Sequence, residues 1–403
     1  MSDSCVYKCE FTFVYLCFIK KRIVIDNYKH LIEHRDKADL FHRYITNKNI
    51  EPLLKTLPSH FMVTVIGRSV LDKPIYEVEV GTGKIKLLLW SQMHGNESTT
   101  TKAIFDLFLF LSTTSTVAKH ILENCTIKVI PILNPDGAQN YTRCNANGVD
   151  LNRDAQKLSQ PESLILRNVF DSFKPNYCLN LHGQRTIFGI GQSNKSSVLS
   201  FLSPATDSKR SITKPRMIAM DIIAHIVKGL NYDLKGNIGR YDDSFNINCV
   251  GDTFQNQGVP TILFEAGHYR NDYPREITRK YVFGALIIAL DYISNYHPIA
   301  GKNYEAYFDI EENQKSFFDI IIRNAIIDGN SVDIAIQYKE QLTNGMVEFV
   351  PRIEQISKLE NYYAHKEIDA QHNEVLGANS SMLCIGHEND FVFIKNEKIS
   401  LTQ

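Results

Sequence analysis

The chain has no surplus of charge of either sign: 44 Lys+Arg stand against 45 Asp+Glu in 403 residues. A nucleic-acid or anionic-membrane binder recruits its partner with a basic excess, so the bulk electrostatics disfavour both. It also has no C-x-x-C pair among its eight cysteines, at positions 5, 9, 17, 125, 144, 178, 249 and 384. A disulfide framework is therefore not indicated, Cys125 and Cys178 suit reduced core thiols, and the compartment reads as reducing and cytoplasmic. An apolar run long enough to span a bilayer is missing as well. Phe11–Ile19 covers nine residues where a spanning helix needs about 20. Its flanks, Lys8 and Glu10 before and Lys20-Lys21-Arg22 after, are not those of an export signal. Stable membrane insertion is not expected, and residues 1–27 read as an N-terminal extension, either an extra strand or a mis-assigned translation start.

What is present is alternation. The segment Tyr28–Leu57 is helical and charged in pattern, and 61–66 with 75–80 read as two strands forming a hairpin at a sheet edge. Strands at 84–90, 126–133, 177–182 and 260–265 then alternate with helices at 98–112, 161–173, 214–229 and 275–294. Such alternation predicts an α/β fold, a mixed and mainly parallel sheet with helices on both faces. After His297 and Pro298 the alternation stops, and short β-like runs such as Val332–Tyr338, Met346–Val350 and Asp390–Ile394 predict a small β-rich C-terminal unit. The length suits one large domain over 28–300 and an accessory unit over 301–403. Within that unit His365, His372 and His387 stand scattered in polar contexts and read as surface histidines.

Chemistry-bearing residues fall at strand ends. His94-Gly-Asn-Glu97 leaves the first buried strand, His182 closes Leu179-Asn-Leu-His, and Glu265 closes Thr261-Ile-Leu-Phe-Glu. In a parallel sheet these ends meet at one rim, where ligands bind. A catalytic zinc takes three N/O protein ligands, leaves one position open for water, and needs a further carboxylate to move protons. The set of two histidines and two glutamates has that count. A lone His-x-x-Glu is weak evidence, which the motifs elsewhere in the chain strengthen; Glu265 alone could be a capping or ion-paired surface carboxylate, a reading that its place directly after a buried strand disfavours.

Between the halves lie Asn134-Pro-Asp-Gly137, Arg143 and Gly148-Val-Asp-Leu-Asn-Arg153. In this order the motifs resemble those of the zinc carboxypeptidases of the M14 type, over residues 40 to 300. The resemblance implies a zinc ion held by His94, Glu97 and His182, with Glu265 as general base and acid. It implies that Asp150 hydrogen-bonds His94, that Arg143 polarises the scissile carbonyl, and that Asn152 and Arg153 bind the substrate's terminal carboxylate. Tyr241, 24 residues before Glu265, stands near a mobile family tyrosine, although it could equally pack an ordered loop. This chain departs from the family pattern at Asp154, where asparagine is usual, and at His182-Gly-Gln-Arg185, where Arg185 adds a cation. By the same resemblance Gly251 stands near the place that sets side-chain preference in digestive relatives, and it carries no charge.

The resulting expectation is a zinc-dependent metallocarboxypeptidase acting on a peptide or peptide-like substrate with a free carboxylate. A deacylase or desuccinylase-type amidohydrolase and a murein-peptide amidase of the same superfamily are the alternatives. A non-catalytic binding module would have lost the His94, Glu97, His182 and Glu265 set.

Overall fold

A computed structural model describes residues 28–403; the expectations for Phe11–Ile19, Cys5, Cys9 and Cys17 lie outside the described residues. An eight-stranded mixed sheet carries the structure. Its strands are β1 (Met62–Arg68), β2 (Pro74–Val80), β3 (Ile85–Ser91), β4 (Cys125–Ile130), β5 (Tyr177–Gly183), β7 (Leu199–Leu202), β8 (Ile238–Arg240) and β9 (Thr261–Ala266). They run in the order β1-β2-β4-β3-β5-β9-β7-β8. The central strands β4, β3, β5 and β9 are parallel, and β1 with β2 forms the expected antiparallel hairpin at one edge.

Period-two alternation decides which residues face which layer. Leu87 and Leu89 of β3 join the core beneath the helices Thr99–Leu111, Lys214–Leu230 and Glu276–Tyr296, while Leu88 and Trp90 face Phe170 and Phe254 on the opposite side. In β5, Leu179 and Leu181 take the first side, which turns Asn180 and His182 to the second. The chain leaves β3 towards β4 on one flank and returns to β5 on the other. Loops at the ends of these strands diverge there, and a crevice opens at that topological switch point.

Several expectations need correction. The strand expected over 126–133 ends at Ile130, because Pro131 has no N–H to offer a ladder. Asn134-Pro-Asp-Gly137, read as a turn, opens a short helix, Pro135–Asn140, with the Asn134 side chain accepting from Gly137 N at 2.8 Å. The helical pattern over 28–57 resolves into a helical turn at 28–33 and a helix at Asn47–Lys55, separated by irregular chain. The helix Thr116–Asn124 and the short strands β7 and β8 were not anticipated.

The C-terminal part is β-rich as expected, but its strands are long. Strands β11 (Phe317–Ile327), β12 (Asn330–Thr343), β13 (Met346–Ser357) and β14 (Tyr363–Asp369) form a sheet ordered β13-β12-β11-β14. A preceding strand, β10 (Asn313–Lys315), pairs with β6 (Phe188–Ile190) next to the crevice. Polar contacts join this sheet to the larger one: Tyr273 Oη donates to Asp319 at 2.8 Å, and Arg43 donates to both oxygens of Glu340 at 2.9 and 3.0 Å.

His365 is the clear miss. It is buried, stacked on Phe317, packed against His268, and its Nε2 donates to Thr186 O at 2.9 Å. Its neighbours come from distant segments, so its polar sequence context misled; His372 and His387 are exposed as expected. Burial holds the His365 imidazole down at about 4, against an ordinary 6.5. A histidine depressed in the folded state contributes stability that is present above pH 6.5 and lost as pH falls through about 4. Urea unfolding followed from pH 7 to 4 should show declining stability, and His365→Phe should make that decline shallower. Parallel slopes for the two proteins would remove His365 from the acid response.

Candidate active site

The turn that carries His94 and Glu97 is braced from all sides. Gln92, in the left-handed region at φ 47°, donates from Nε2 to Ile45 O (2.9 Å) and Gly95 O (2.7 Å) and accepts from Thr101. Asn134 closes the other side, donating to Met93 O from its side chain and to Gln92 O from its backbone. Gly95 is required by close approach, since a Cβ there would lie 1.9 Å from the Gly137 carbonyl carbon. The Asn-Pro-Asp-Gly helix is thus the buttress of the His-x-x-Glu turn.

The donor atoms converge. His94 Nδ1 lies 2.9 Å from Glu97 Oε1, His182 Nδ1 lies 3.0 Å from Glu97 Oε2, and the two Nδ1 atoms are 3.1 Å apart. The edge of a tetrahedron with bonds of about 2.0–2.1 Å is roughly 3.3 Å, close to these separations. Two imidazole lone pairs and a carboxylate aimed at one point fit a divalent metal ion. The other nitrogen of His94, Nε2, faces Asp150 Oδ1 at 3.0 Å, so an ordered carboxylate orients the ring.

Glu265 sits beside this cluster by register, because His182 and Glu265 are paired partners on β5 and β9. Burial, then the Glu97 charge, push the Glu265 carboxyl well above the usual carboxylate range. Burial would also raise Glu97, but the adjacent His94 charge and hydrogen bonds from His182 and His94 hold it well below that range. Two nearby carboxyls with opposite tendencies suit one ligand and one proton carrier. His94 itself is pulled down by burial and carried past that by Glu97 and Asp150, to about 9.

These groups line a cavity of about 660 Å³. Arg143 reaches its edge half-exposed, with Nε on Asp150 (3.0 Å) and Nη1 near Glu97 (3.4 Å). Asn152 accepts from Val250 N through Oδ1 at 3.0 Å, which leaves its amide donors uncommitted among the described residues. Arg153 donates to Asn152 O (2.7 Å) and Cys249 Sγ (3.2 Å), and among the described residues no carboxylate pairs with it. Tyr241 lines the cavity too, its backbone N on Phe201 O and its ring 5.3 Å from Phe188. Burial and the Glu265 and Glu97 charges raise its phenol.

Asp154, the departure noted above, is buried and caps the next segment, accepting from Ser159 N, Ser159 Oγ and Gln160 N. Gly251 faces a recess of the cavity, where an added Cβ would stand 3.1 Å from Pro204 and 3.8 Å from Asn180 Nδ2. Asn180 and Asp252 line the same cavity and escaped sequence reasoning. Asn180 was within reach, since strand alternation puts it on the His182 face two residues earlier. Lys315 was not, because only tertiary pairing of β10 with β6, which sets it opposite Phe188, brings it to the cavity.

Residues 47–190 match a family profile described as zinc carboxypeptidase. Carboxypeptidase 2 of Trichophyton tonsurans is 28% identical over 122 residues, 30% of this chain and 22% of that protein. Gamma-D-glutamyl-L-diamino acid endopeptidase 1 of Lysinibacillus sphaericus is 29% identical over 133 residues, 25% of this chain and 34% of that protein. The chain thus spans about a third or less of the length of these curated relatives. The crystal structure of a metallo-carboxypeptidase from Burkholderia cenocepacia superposes with a TM-score of 0.50 at 17% identity, covering 62% of this chain and 69% of that one, a likeness of fold.

The converging donors predict one divalent ion per chain. Elemental analysis after dialysis against Zn²⁺ or Co²⁺ should give a stoichiometry near one, and His182→Ala should lower it sharply. Undiminished occupancy in that variant would place the ion elsewhere.

Proposed function

We propose that this chain, whose residues 47–190 match the zinc carboxypeptidase profile, is a zinc-dependent carboxypeptidase that hydrolyses the C-terminal peptide bond of a substrate with a free carboxylate. The observation that carries this reading is the meeting of the His94, Glu97 and His182 donors with Glu265 in one cavity that Asn152 and Arg153 also line. Residues 28–300 would be the catalytic domain and 301–403 an accessory unit. Zinc at the three donors would supply Lewis-acid polarisation of a carbonyl and a lowered pKa for coordinated water.

The protein groups account for the rest. The Arg153 guanidinium and the Asn152 amide bind the terminal carboxylate, which sets the scissile bond one residue back from the anchor. Glu265 takes a proton from the attacking water as the C–O bond forms, then delivers it to the amine nitrogen as the C–N bond breaks. Its raised pKa favours holding that proton between the two steps. Arg143 presents a fixed cation to the carbonyl oxygen as negative charge develops, and Tyr241 lines the same cavity. The buried free thiols Cys125, raised to about 12 by burial, and Cys178 support a reducing, cytoplasmic setting.

A second reading has its own support. Asp252 is a buried carboxyl on the cavity wall, pushed up to about 6 by desolvation, and would welcome an ammonium group. A γ-D-glutamyl-diamino acid bond, the kind named for the Lysinibacillus sphaericus relative, presents such a group.

Glu265→Gln keeps shape but cannot carry the proton. Zinc content should stay near one per chain while kcat falls on the order of a hundredfold; loss of metal instead would make Glu265 a ligand. Arg153→Ala should lower kcat/KM for free-carboxylate peptides by about tenfold to a hundredfold and hardly affect C-terminally amidated ones. Product masses from a mixture of peptides, N-acyl amino acids and muropeptides decide among the carboxypeptidase, deacylase and amidase readings. Equal cleavage of amidated and free peptides would rule out the exopeptidase assignment.

A further inference from the structure

Behind the site lies a buried cation with no part in the steps above. Arg275 is 2% exposed, yet its guanidinium donates from Nη1 to Ala266 O at 2.5 Å and from Nη2 to Gln184 O at 2.6 Å. Ala266 directly follows Glu265, and Gln184 lies two residues beyond His182. The ladder between β5 and β9 has its last pair at Gly183 and Ala266, with one further bond from Gln184 N to Ala266 O at 3.0 Å. Strand ends beyond the last rung are free to part. Here a planar fork, with one arm on each strand, permits only a narrow range of separations between the two carbonyls.

Arg275 is itself held. It stands at the start of the helix Glu276–Tyr296 with a left-handed φ of 58°, and its backbone N donates to Asp272 O at 2.9 Å. The Asp272 carboxylate accepts from the backbone N of Glu276, Ile277 and Thr278 at 2.8, 2.9 and 2.9 Å, which locks that corner. A buried cation also needs a counter-charge. The carboxylate on this side, Glu340 on β12 of the C-terminal sheet, is paired directly with Arg43 at 2.9 Å; burial opposes its ionisation, but the Arg43 charge and then that of Arg275 keep it below the usual carboxylate range. Glu340 also accepts from Tyr141 Oη at 2.5 Å, and the Arg43 carbonyl accepts from Ser98, the neighbour of Glu97, at 2.5 Å. Through these contacts the C-terminal sheet is built into the back wall of the site.

We propose that Arg275 is a positioning residue for the peptidase reaction: it pins the ends of the two strands that carry His182 and Glu265. The proposal rests on the peptidase reading above. It differs from a merely structural role because the spacing between a metal donor and a proton carrier affects turnover and metal geometry more than substrate anchoring.

The test uses the full chain. Arg275→Lys keeps the charge but not the fork. It should lower kcat by about tenfold to a hundredfold with KM within about twofold, since Asn152 and Arg153 are untouched. Zn²⁺ affinity of the metal-free protein, measured by competition with a chromophoric chelator, should fall on the order of tenfold. The visible spectrum of the Co²⁺-loaded variant should shift from that of the parent. In Arg275→Ala, added methylguanidinium should restore part of the activity and of the parent spectrum; if that variant does not fold, Arg275→Lys decides alone. A folded Arg275→Lys with kcat, Zn²⁺ affinity and Co²⁺ spectrum all matching the parent would overturn the proposal, as would equal changes in kcat and KM with an unshifted spectrum. If the parent binds zinc but hydrolyses no peptide, the peptidase reading falls, while the Zn²⁺ titration and the Co²⁺ spectrum still judge whether Arg275 positions His182.

Discussion

The parallel pairing of β5 with β9 is the constraint on which the site depends. It sets His182 opposite Glu265, and because side chains alternate, both point to the same face of the sheet. A slip of one residue would turn one of them into the hydrophobic layer formed by Leu181 and Phe264. Register is therefore defended by the core itself: burying Leu179, Leu181, Ile262 and Phe264 on one face obliges Asn180, His182, Leu263 and Glu265 to share the other. The functional residues are exact in position because the apolar ones are.

The second requirement is to keep charge in a place with little water. Glu97, His94, His182, Asp150 and Arg143 form a chain of contacts in which each ionisable group has a partner of opposite tendency. Isolated, any of them would lose several kcal/mol to desolvation or neutralise itself. Glu265 is left outside this pairing, with Oε2 buried and unpartnered among the described residues. The same surroundings thus hold one carboxylate ionised for coordination and another poised to carry a proton. A similar economy operates further back, where Asp106 accepts from Arg279 at 2.6 and 2.8 Å and ties the helix after the His-x-x-Glu turn to the last helix of the larger sheet.

Much of this was legible in the chain. Runs such as Ile85–Trp90 and Thr261–Phe264 read as buried strands because they are too short for helices and too apolar for loops. The helix at Pro161–Phe173 was placed to the residue, since proline marks the first turn and apolar spacing does the rest. Histidine and glutamate at the ends of such strands pointed to one rim. Less legible were β7 and β8, four and three residues long, which have too little pattern to rise above their loops. The C-terminal strands were seen only as fragments, because half-buried faces interrupt their alternation.

By itself, the amino-acid sequence determined the alternation of strands and helices, the face on which each apolar side chain lies, and the short-range spacing that lets His94 and Glu97 share one turn. These are properties of the local backbone period and of nearby residues, so they need no knowledge of distant partners. Only the tertiary structure decided that His365 is buried against His268, that Lys315 comes to the cavity, and that Arg43 and Glu340 pair across to the C-terminal sheet. Each of those outcomes depends on segments tens to hundreds of residues apart. Burial and electrostatic environment belong to the assembled surroundings of a residue, and no local pattern encodes them.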